Sequence, residues 1–258
     1  MLITLDVGNS HTVIGIYDGD KLTHHWRIQT VPERTTDEHG ALLNTLLNSA
    51  GIEPGFKPEG VIIACVVPPL NQSMEQLAER YFRCTPLMVG PGIKTGMPIL
   101  YENPKEVGAD RIVNAVAAYE HCSGACIVVD FSATATSFDY ITARGEYAGG
   151  AIAPGLDVSI NALITRAAKL YRVELVRPRE VVGRTVIASL QSGLIFGYTA
   201  LVDGLVHRIR KERGERARVI ATGGRLAELI ASESETIEEV DEFLTLKGLR
   251  LIFERNRR

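Results

Sequence analysis

The chain has 258 residues, of which 45% are hydrophobic and 23% are charged, the balance of a globular protein with an ample core. Its 28 basic and 31 acidic residues give a net charge of −3, which provides no electrostatic reason to expect nucleic acid or a membrane as partner. The longest apolar stretch, VIIACVVPPL, is too short to span a membrane, and MLITLDVGN lacks the basic region of a signal peptide, so we predict a cytoplasmic protein.

The first half of the chain predicts a β-meander followed by alternating helices and strands. Strands are expected over residues 3–7, 12–17 and 22–28. A helix capped by Thr36 or Asp37 should then extend to a glycine at position 51. The next elements are a buried central strand, an amphipathic helix and a short strand, at 61–67, 73–82 and 86–90.

A segment rich in glycine and proline, residues 90–110, precedes the next predicted helix and is the most plausible functional loop. A helix over residues 111–122 follows this loop. The second half then repeats the three-strand opening over 127–149. Helices are expected at 156–169 and 186–212, then a strand over 217–224 and helices to residue 258.

The four cysteines of the chain are scattered, and the two in CSGAC are separated by three residues. No second Cys/His pair stands at a spacing suited to a metal. We therefore expect no zinc site, and interpret the cysteines as buried or incidental thiols.

A short motif occurs twice, as DVGNSHT at residues 6–12 and as DFSATAT at residues 130–136. In each copy an aspartate ends an apolar run, and a threonine follows six residues later. The flanking strands repeat as well, which indicates a duplicated α/β unit. We predict two RNase H-like domains of the actin-like ATPase class, 1–117 and 118–258, with a nucleotide cleft between them.

Under this prediction each copy of the motif supplies one phosphate-binding loop. Gly8 should adopt positive φ and let the backbone approach a phosphate, while Asn9, Ser10 and Thr12 offer donors. Asp6 ends the strand and is placed to hold a magnesium-bound water. An ordinary polar hairpin is the alternative interpretation. The ATGG at 221–224 ends a strand and opens a helix, where it either packs against adenosine or forms a simple glycine-capped turn.

The sequence GADR at 108–111 places Asp110 in the first turn of a helix, whose positive end favours an ionised carboxylate. An ionised aspartate is what a kinase uses to orient and deprotonate an alcohol. Arg111 is a candidate for holding a substrate carboxylate. Simple helix capping is the alternative role for this pair.

These motifs, together with VVPPL, GGAIAPGL and PGIKTGMPILYENPKEVGADRIVNA, resemble type III pantothenate kinase over essentially the whole chain. The resemblance implies ATP-dependent phosphorylation of pantothenate, the first step of coenzyme A synthesis. It also implies a homodimer, Mg²⁺ with the ATP, and a monovalent cation, K⁺ or NH₄⁺.

Carried over by residue, the resemblance implies that the loop Asp6–Val13 contacts the phosphates of ATP, and that Thr134 also contacts ATP. It implies that Asp130 binds the monovalent cation and that Asp110 accepts the proton. The implied phosphate-loop residues are Asp6, Val7, Gly8, Asn9, Ser10, His11, Thr12 and Val13. The implied pantothenate contacts are Tyr101, Gly108, Ala109, Asp110, Arg111 and Thr185.

The sequence departs from the family pattern at four places. DFSATATSFD has one more residue than the family's DFGTATTFD, and we expect the extra residue to form a bulge within 131–133. His11 brings a ring to the first loop. Val186 stands where the family has a threonine, which Thr185 could replace after a small shift, and Arg225 is inserted beside the ATGG turn.

These departures leave two alternatives to the kinase. One is a catalytically weakened paralogue that acts as a ligand-binding or regulatory protein, since one branch of the family is named as an accessory factor for transcription. The other is a kinase of a different small alcohol, which Val186 would favour if it reshaped the acyl pocket.

Overall fold

The computed structural model describes residues 1–53, 55–167, 170 and 172–257. The chain is an α/β protein with two five-stranded sheets, and it divides into two compact units. Unit 1 comprises Met1–Met97, Glu102–Ala117 and Thr245–Arg258. Unit 2 comprises Pro98–Tyr101 and Ala118–Leu244.

The sheet of unit 1 has the strand order β3-β2-β1-β4-β5. Its strands are β1 (Leu2–Val7), β2 (His11–Asp18), β3 (Lys21–Gln29), β4 (Gly60–Cys65) and β5 (Leu87–Met88). Strand β1 pairs antiparallel with β2 and parallel with β4. The helices that follow in the chain are α1 (Thr36–Ser49), α2 (Asn71–Phe82) and α3 (Ala109–Cys122).

The sheet of unit 2 has the order β10-β9-β6-β7-β8, which is the same arrangement when its strands are matched in chain order. Its strands are β6 (Cys126–Phe131), β7 (Ala135–Ile141), β8 (Tyr147–Pro154), β9 (Arg218–Thr222) and β10 (Glu239–Val240). The remaining helices are α4 (Leu156–Arg166), α5 (Val186–Arg213), α6 (Arg225–Ala231) and α7 (Leu244–Arg257). The duplication predicted from the repeated motif is therefore present in the topology.

Both cores consist of alternating apolar residues from the strands, covered by the apolar faces of helices. In unit 1, Ile3 and Leu5 of β1 pack with Leu43 of α1 and Leu77 of α2. In unit 2, the residues Ile127, Val129, Val202, Val206, Val219 and Ile230 form the corresponding cluster. The central strands β1 and β6 are almost fully buried, as expected for strands covered on both faces.

The C-terminal helix α7 belongs to unit 1 from Thr245 onward, whereas the sequence analysis assigned residues 118–258 to one domain. Helix α7 packs on unit 1 because two glycines of that unit, at positions 15 and 60, leave space for its side chains. A Cβ at Gly15 would lie 2.9 Å from Leu246, and a Cβ at Gly60 would lie 2.4 Å from Phe253. The predicted domain ranges stay a prediction, and the compact units differ from them in α7 and in residues 98–101.

Three further details differ from the predicted elements. The N-cap of α1 is Thr35, which forms a capping box with Glu38, so the prediction of Thr36 or Asp37 was wrong. The short strand β10 interrupts the region predicted as helical after residue 224. Helix α4 ends at Arg166, and residues 168 and 169 of the predicted helix lie outside the described residues.

Among the described residues, α5 is long and apolar enough to cross a membrane, judged by length and composition. One third of its most apolar window is buried in the structure. A single helix of this kind is weak evidence, because core helices of other proteins pass the same test.

Candidate functional site

The first predicted phosphate loop connects β1 to β2 at the carboxyl end of β1. Asp6 lies between Val13 of β2 and Ala64 of β4 in the sheet, and its side chain is half-buried. Burial raises the pKa of the adjacent Cys65 thiol, and the Asp6 carboxylate raises that pKa further. Asp6 therefore lies near the carboxyl end of β1, beside Cys65 of the next strand.

Two details of this loop differ from the prediction. Gly8 does not have positive φ. It is instead tightly packed, because a Cβ would lie 3.1 Å from the carbonyl oxygen of His11, and its N–H donates to that oxygen at 3.0 Å. The hydroxyl of Thr12 is buried and lies 2.9 Å from the hydroxyl of Thr30, so it stabilises the loop from inside.

The tip of the loop is accessible and borders a surface depression of ≈ 620 Å³. Asn9 is exposed, Ser10 and His11 are half-buried, and Arg27 of β3 approaches the loop from the side. The guanidinium Nη2 of Arg27 lies 3.1 Å from Nδ1 of His11. Sequence analysis missed this arginine because it is 16 residues away from His11 and only the strand pairing brings it near. Val7 is fully buried and Val13 half-buried, so their contribution to the loop is through the backbone.

Asp110 lies in the first turn of α3, as predicted, and its Oδ1 accepts a hydrogen bond from the N–H of Arg111 at 2.8 Å. Gly108 is required by this arrangement, because a Cβ there would lie 2.4 Å from Oδ1 of Asp110. The carboxylate is therefore held at the helix N-terminus, where the orphan N–H groups and the macrodipole favour negative charge.

The Asp110 turn and the first loop are linked through Val66, which follows β4. The N–H of Val66 donates to the carbonyl of Val7 at 3.0 Å, and a Cβ on Gly108 would lie 3.8 Å from a methyl group of Val66. Unit 1 thus brings Asp6 and Asp110 to the same edge of its sheet, formed by the carboxyl ends of β1 and β4. Binding sites of open α/β sheets lie at such edges.

The neighbours of Asp110 differ in accessibility. Ala109 is half-buried. Arg111 is only 8% exposed, which is unusual for an arginine and shows that its guanidinium is part of the packed structure around α3. Its predicted role as an open carboxylate ligand therefore requires contact through the small exposed part of the side chain.

The second predicted loop connects β6 to β7 in unit 2. The pairing of Asp130 with Ser137 and of Phe131 with Thr136 is regular, so the strands keep their register as expected, but the predicted bulge is not present in them. The turn itself contains the extra residue. The hydroxyl of Ser132 donates to the carbonyl of Ala135 at 2.9 Å and closes the turn. A longer hairpin loop can contain an added residue without a change in the pairing of the two strands.

Two glycine-containing turns pack against this second loop. Gly155 donates its N–H to the carbonyl of Thr134 at 2.9 Å, and a Cβ on it would lie 2.5 Å from the carbonyl oxygen of Ala133. Gly223, in the predicted ATGG turn between β9 and α6, has φ 118° and lies against Phe131 in the same way. Thr134 is exposed at the tip of the loop.

Asp130 is half-buried at the carboxyl end of β6, directly beside Thr222 of the parallel strand β9. The second loop, Asp130 and the ATGG turn therefore form one edge of the unit 2 sheet, equivalent to the edge of unit 1 that carries Asp6.

Tyr101 lies in unit 2, where the segment before it adds to the edge of β8. Leu100 donates its N–H to the carbonyl of Tyr147 at 2.8 Å. The rings of Tyr101 and Tyr147 are 6.3 Å apart, and Tyr101 also covers Gly149, which has φ 104°. Tyr147 donates to the buried carboxylate of Asp139 at 2.7 Å. This buried support of Tyr101 has no signal in the sequence.

Thr185 is the N-cap of α5, and its hydroxyl oxygen accepts from the N–H of Ala188 at 3.1 Å. The hydroxyl can still donate a hydrogen bond. Thr185 and Val186 are exposed and line a depression of ≈ 600 Å³ with Gly183, Ser189 and Leu190. The structure places Thr185 in unit 2 with Tyr101, whereas Gly108, Ala109, Asp110 and Arg111 are in unit 1.

The described residues contain no group of three or more His, Cys, Asp or Glu side chains arranged to hold a metal. Single carboxylates at strand ends, such as Asp6 and Asp130, suit ions that complete their coordination with phosphate oxygens and water, as Mg²⁺ does.

Comparison with known proteins shows the family of the chain. The family model of type III pantothenate kinase matches residues 2–208. A type III pantothenate kinase of Pelobacter propionicus is 57% identical over 258 residues and covers 100% of both chains. The chain belongs to the type III pantothenate kinase family.

Another member of the type III pantothenate kinase family, from Myxococcus xanthus, is 53% identical over 99% of both chains. Among solved structures, MreB 5 of Spiroplasma citri bound to AMPPNP superposes with a TM-score of 0.57 at 10% identity, covering 99% of this chain and 96% of that one. This second likeness concerns the fold alone and confirms the actin-like ATPase architecture predicted from the repeated motif. As a type III pantothenate kinase family member the chain is a phosphotransferase.

Proposed function

We propose that this protein transfers the γ-phosphoryl group of ATP to the primary hydroxyl of pantothenate. The product is 4'-phosphopantothenate, and the reaction is the first step of coenzyme A synthesis. The observation that supports the reaction is the Asp110 carboxylate, held at the N-terminus of α3 by Gly108 and the Arg111 N–H, at the sheet edge that carries the first loop. The family membership supports the choice of substrate.

Asp110 accepts the proton of the pantothenate hydroxyl as its oxygen attacks the γ-phosphorus. Because phosphoryl transfer needs little covalent help from the protein, its main tasks are to position the alcohol and to stabilise charge. A carboxylate fixed by the backbone at a helix N-terminus is already oriented, so less reorganisation is needed in the transition state.

The two loops bind the phosphates. In the first loop, the backbone of Asp6–Val13 and the side chains of Asn9 and Ser10 supply donors, and Arg27 adds a positive charge beside His11. In the second loop, Thr134 is exposed and its peptide is fixed by Gly155, which supports its assignment as an ATP contact.

The pantothenate contacts proposed from the family are Tyr101, Gly108, Ala109, Asp110, Arg111 and Thr185. The packing of Tyr101 on Tyr147 supports a rigid aromatic contact. Val186 stands where the family has a threonine, and Thr185 offers a hydroxyl donor in its place. Without such a donor, loss of one hydrogen bond would weaken the binding of pantothenate by about 1 kcal/mol.

The proposed cofactors are Mg²⁺ with ATP and a monovalent cation, K⁺ or NH₄⁺. Mg²⁺, when bound, neutralises charge on the phosphates. Asp6 would hold it through water, and Asp130 would offer an oxygen to the monovalent cation. Both carboxylates are half-buried at strand ends, which fits hard cations that prefer oxygen ligands.

We also propose a homodimer. Residues 176–187, before and at the start of α5, expose several apolar side chains: Val176, Val181, Val182, Val186 and Ile187. Several exposed apolar residues within a short segment are typical of an interaction surface. The partial burial of the apolar helix α5 is consistent with a second copy covering this surface.

A cytoplasmic protein that binds neither nucleic acid nor a membrane remains our proposal, supported by the net charge of −3 and by the metabolic activity of the family. The regulatory alternative considered from the sequence has less support, because the family model and the full-length relatives are those of type III pantothenate kinase.

The substitution Asp110→Asn tests the proposal. The amide cannot accept the proton, so kcat should fall by roughly 10²–10⁴ while the KM for pantothenate changes little. The measurement is a coupled assay of ADP release, with and without pantothenate. Asp37→Asn is the matched control, because Asp37 lies in the first turn of α1 and its carboxylate is exposed. An Asp110→Asn protein with near-parental kcat would contradict the assignment.

A further inference from the structure

The residues just before Tyr101 are held along the edge strand β8 of unit 2 by one tyrosine of that strand. The N–H of Tyr147 donates to the carbonyl of Pro98 at 2.8 Å, and the N–H of Leu100 donates to the carbonyl of Tyr147 at 2.8 Å. Ile99 pairs with Tyr147 in a parallel bridge. Both backbone groups of Tyr147 therefore fix the chain that leads into Tyr101.

The side chain of Tyr147 also supports the ring of Tyr101. The two ring centroids are 6.3 Å apart and the ring planes are inclined by 51°, which is usual for a tilted aromatic pair. Tyr147 is fully buried, whereas Tyr101 is half-buried. The buried ring is the fixed member of the pair, and Tyr101 is the member that a ligand can reach.

A buried carboxylate fixes the orientation of Tyr147. The phenolic hydroxyl of Tyr147 donates to Oδ1 of Asp139 at 2.7 Å, and the hydroxyl of Ser137 donates to Oδ2 at 3.1 Å. Asp139 has no exposed surface, so its oxygens need such donors in place of water. Because a hydrogen bond to a carboxylate is short and directional, it holds the phenol ring of Tyr147 in one orientation.

Two glycines of β8 leave the space that this arrangement occupies. Gly149 has φ 104°, and a Cβ on it would lie 3.4 Å from the ring of Tyr101. Gly150 lies so close to β7 that a Cβ on it would overlap the carbonyl oxygen of Phe138. The first two residues of the GGAIAPGL motif therefore let β8 approach both β7 and the ring of Tyr101.

We propose that Tyr147 and Asp139 are positioning residues for Tyr101, and that they set the affinity for pantothenate by keeping the Tyr101 ring in its binding orientation. This inference rests on the proposed function, which assigns Tyr101 to the contact with pantothenate. It adds two residues whose role is neither phosphate binding nor proton transfer, because their effect passes through Tyr101.

The effect on binding follows from the freedom of the Tyr101 side chain. A ring that is ordered before the substrate arrives loses little rotamer freedom on binding, whereas a mobile ring must be ordered by the substrate itself. Loss of the bond from Tyr147 leaves a buried oxygen of Asp139 with one donor fewer, and the Tyr147 ring can then shift against Tyr101. Pantothenate should bind more weakly, while ATP binding and the chemical step are preserved.

The substitution Tyr147→Phe tests the proposal because it removes the hydroxyl and keeps the ring and the backbone. In the ADP-release assay at saturating ATP, we expect the KM for pantothenate to rise roughly three- to tenfold, with kcat and the KM for ATP within about twofold of the parent. Tyr119→Phe is the matched control. It removes a tyrosine hydroxyl that donates to the carbonyl of Ala143 at 3.3 Å, and it should keep all three parental values.

A double-mutant cycle shows whether the effect passes through Tyr101. Tyr101→Ala removes the proposed contact, so Tyr147→Phe should change the KM for pantothenate by less than about twofold in that background. The role of the carboxylate is tested by two substitutions of different severity. Asp139→Asn keeps an acceptor oxygen for the Tyr147 hydroxyl and Asp139→Ala removes it, so the KM should rise less in Asp139→Asn.

An unchanged KM for pantothenate in Tyr147→Phe, or an equal rise in the parent and Tyr101→Ala backgrounds, would overturn the proposal. A second measurement is independent of activity: amide hydrogen exchange at Leu100 should be faster in Tyr147→Phe than in the parent and in Tyr119→Phe. If the parent shows no pantothenate-dependent ADP release, the proposed function fails. The exchange rates then decide the positioning of Tyr101 alone, since faster exchange in Tyr147→Phe supports it and equal rates overturn it.

Discussion

Gly108 controls where the Asp110 carboxylate lies, and its substitution gives a prediction at the residue scale. In Gly108→Ala the added Cβ would lie 2.4 Å from Oδ1 of Asp110, so the carboxylate must move. A displacement of about 1 Å from the reactive geometry can cost about 100-fold in rate, and we expect kcat to fall by roughly 10- to 100-fold.

The measurement for Gly108→Ala is kcat from ADP release, with circular dichroism to verify folding. Gly90→Ala is the matched control at the start of the same loop, since a Cβ there meets no atom within 4 Å. Equal kcat values for the two variants would show that the glycine does not position Asp110.

Residue-level prediction succeeded where the chemistry is local. Asp110 follows two small residues at a helix start, and the sequence alone indicates that geometry. It gave no sign that the hydroxyls of Thr12 and Thr185 also bond within the fold, to Thr30 and to the N–H of Ala188. A hydroxyl in a polar loop has both external and internal partners available, and only the tertiary structure selects between them.

At the scale of elements, His39 of α1 makes folding sensitive to acid. The imidazole is 5% exposed, and its Nε2 has no hydrogen-bond partner among the described residues. Desolvation is the main cause that lowers the pKa of His39 to about 4, and Arg34 adds to the effect. The unfolded chain therefore binds a proton more readily than the folded chain between pH 4 and pH 6.5.

The contribution of His39 to the free energy of unfolding therefore depends on pH. It is fully present above about pH 6.5, where His39 is neutral in both states, and it is lost as the pH falls towards 4. At pH 5 the loss should be about 1–2 kcal/mol relative to pH 7. Urea unfolding at both pH values measures it, and in His39→Leu the difference between them should shrink by that amount. His25→Leu, at an exposed position of β3, is the control. An unchanged pH dependence in His39→Leu would contradict the prediction.

The sequence indicated most elements because the apolar patterns are strong and the motif is duplicated. Both sheets and their matching strand orders agree with that duplication. It did not indicate β10, since two residues paired with β9 leave no periodic pattern. It also predicted a bulge for the added residue near 132, whereas the turn absorbs that residue and Ser132 closes it. The register of a hairpin depends on both strands. The sequence of one segment therefore cannot show whether a bulge in the strand or a longer turn has the lower free energy.

At the scale of the whole molecule, the two units repeat one design with different outcomes at their strand ends. Each carries an aspartate at the carboxyl end of its central strand, Asp6 in β1 and Asp130 in β6, followed by a polar turn. In unit 1 the neighbouring helix start adds Asp110. In unit 2 the neighbouring turns contribute two glycines, Gly155 and Gly223, whose backbone packs closely against the second loop and which carry no charged side chain. Under the proposed function, the duplicated scaffold would supply a proton acceptor once and anion-binding backbone twice.

The last prediction concerns the proposed homodimer and the exposed apolar residues before α5. Val181 is 67% exposed and Val182 is 77% exposed, at the beginning of the apolar stretch that leads into α5. Burying such side chains against a second copy removes apolar area from water, and a carboxylate in the same place would have to be desolvated. Val182→Asp should therefore weaken the dimer at least about tenfold, which corresponds to about 1.4 kcal/mol. Sedimentation equilibrium over a concentration series measures the dissociation constant, and the ADP-release assay at the same concentrations shows whether activity follows the dimer. Thr45→Lys, a charge added at an exposed position of α1, is the control. If the parent protein sediments as an active monomer, or if Val182→Asp dimerises as tightly as the parent, the exposed apolar residues are not the dimer surface.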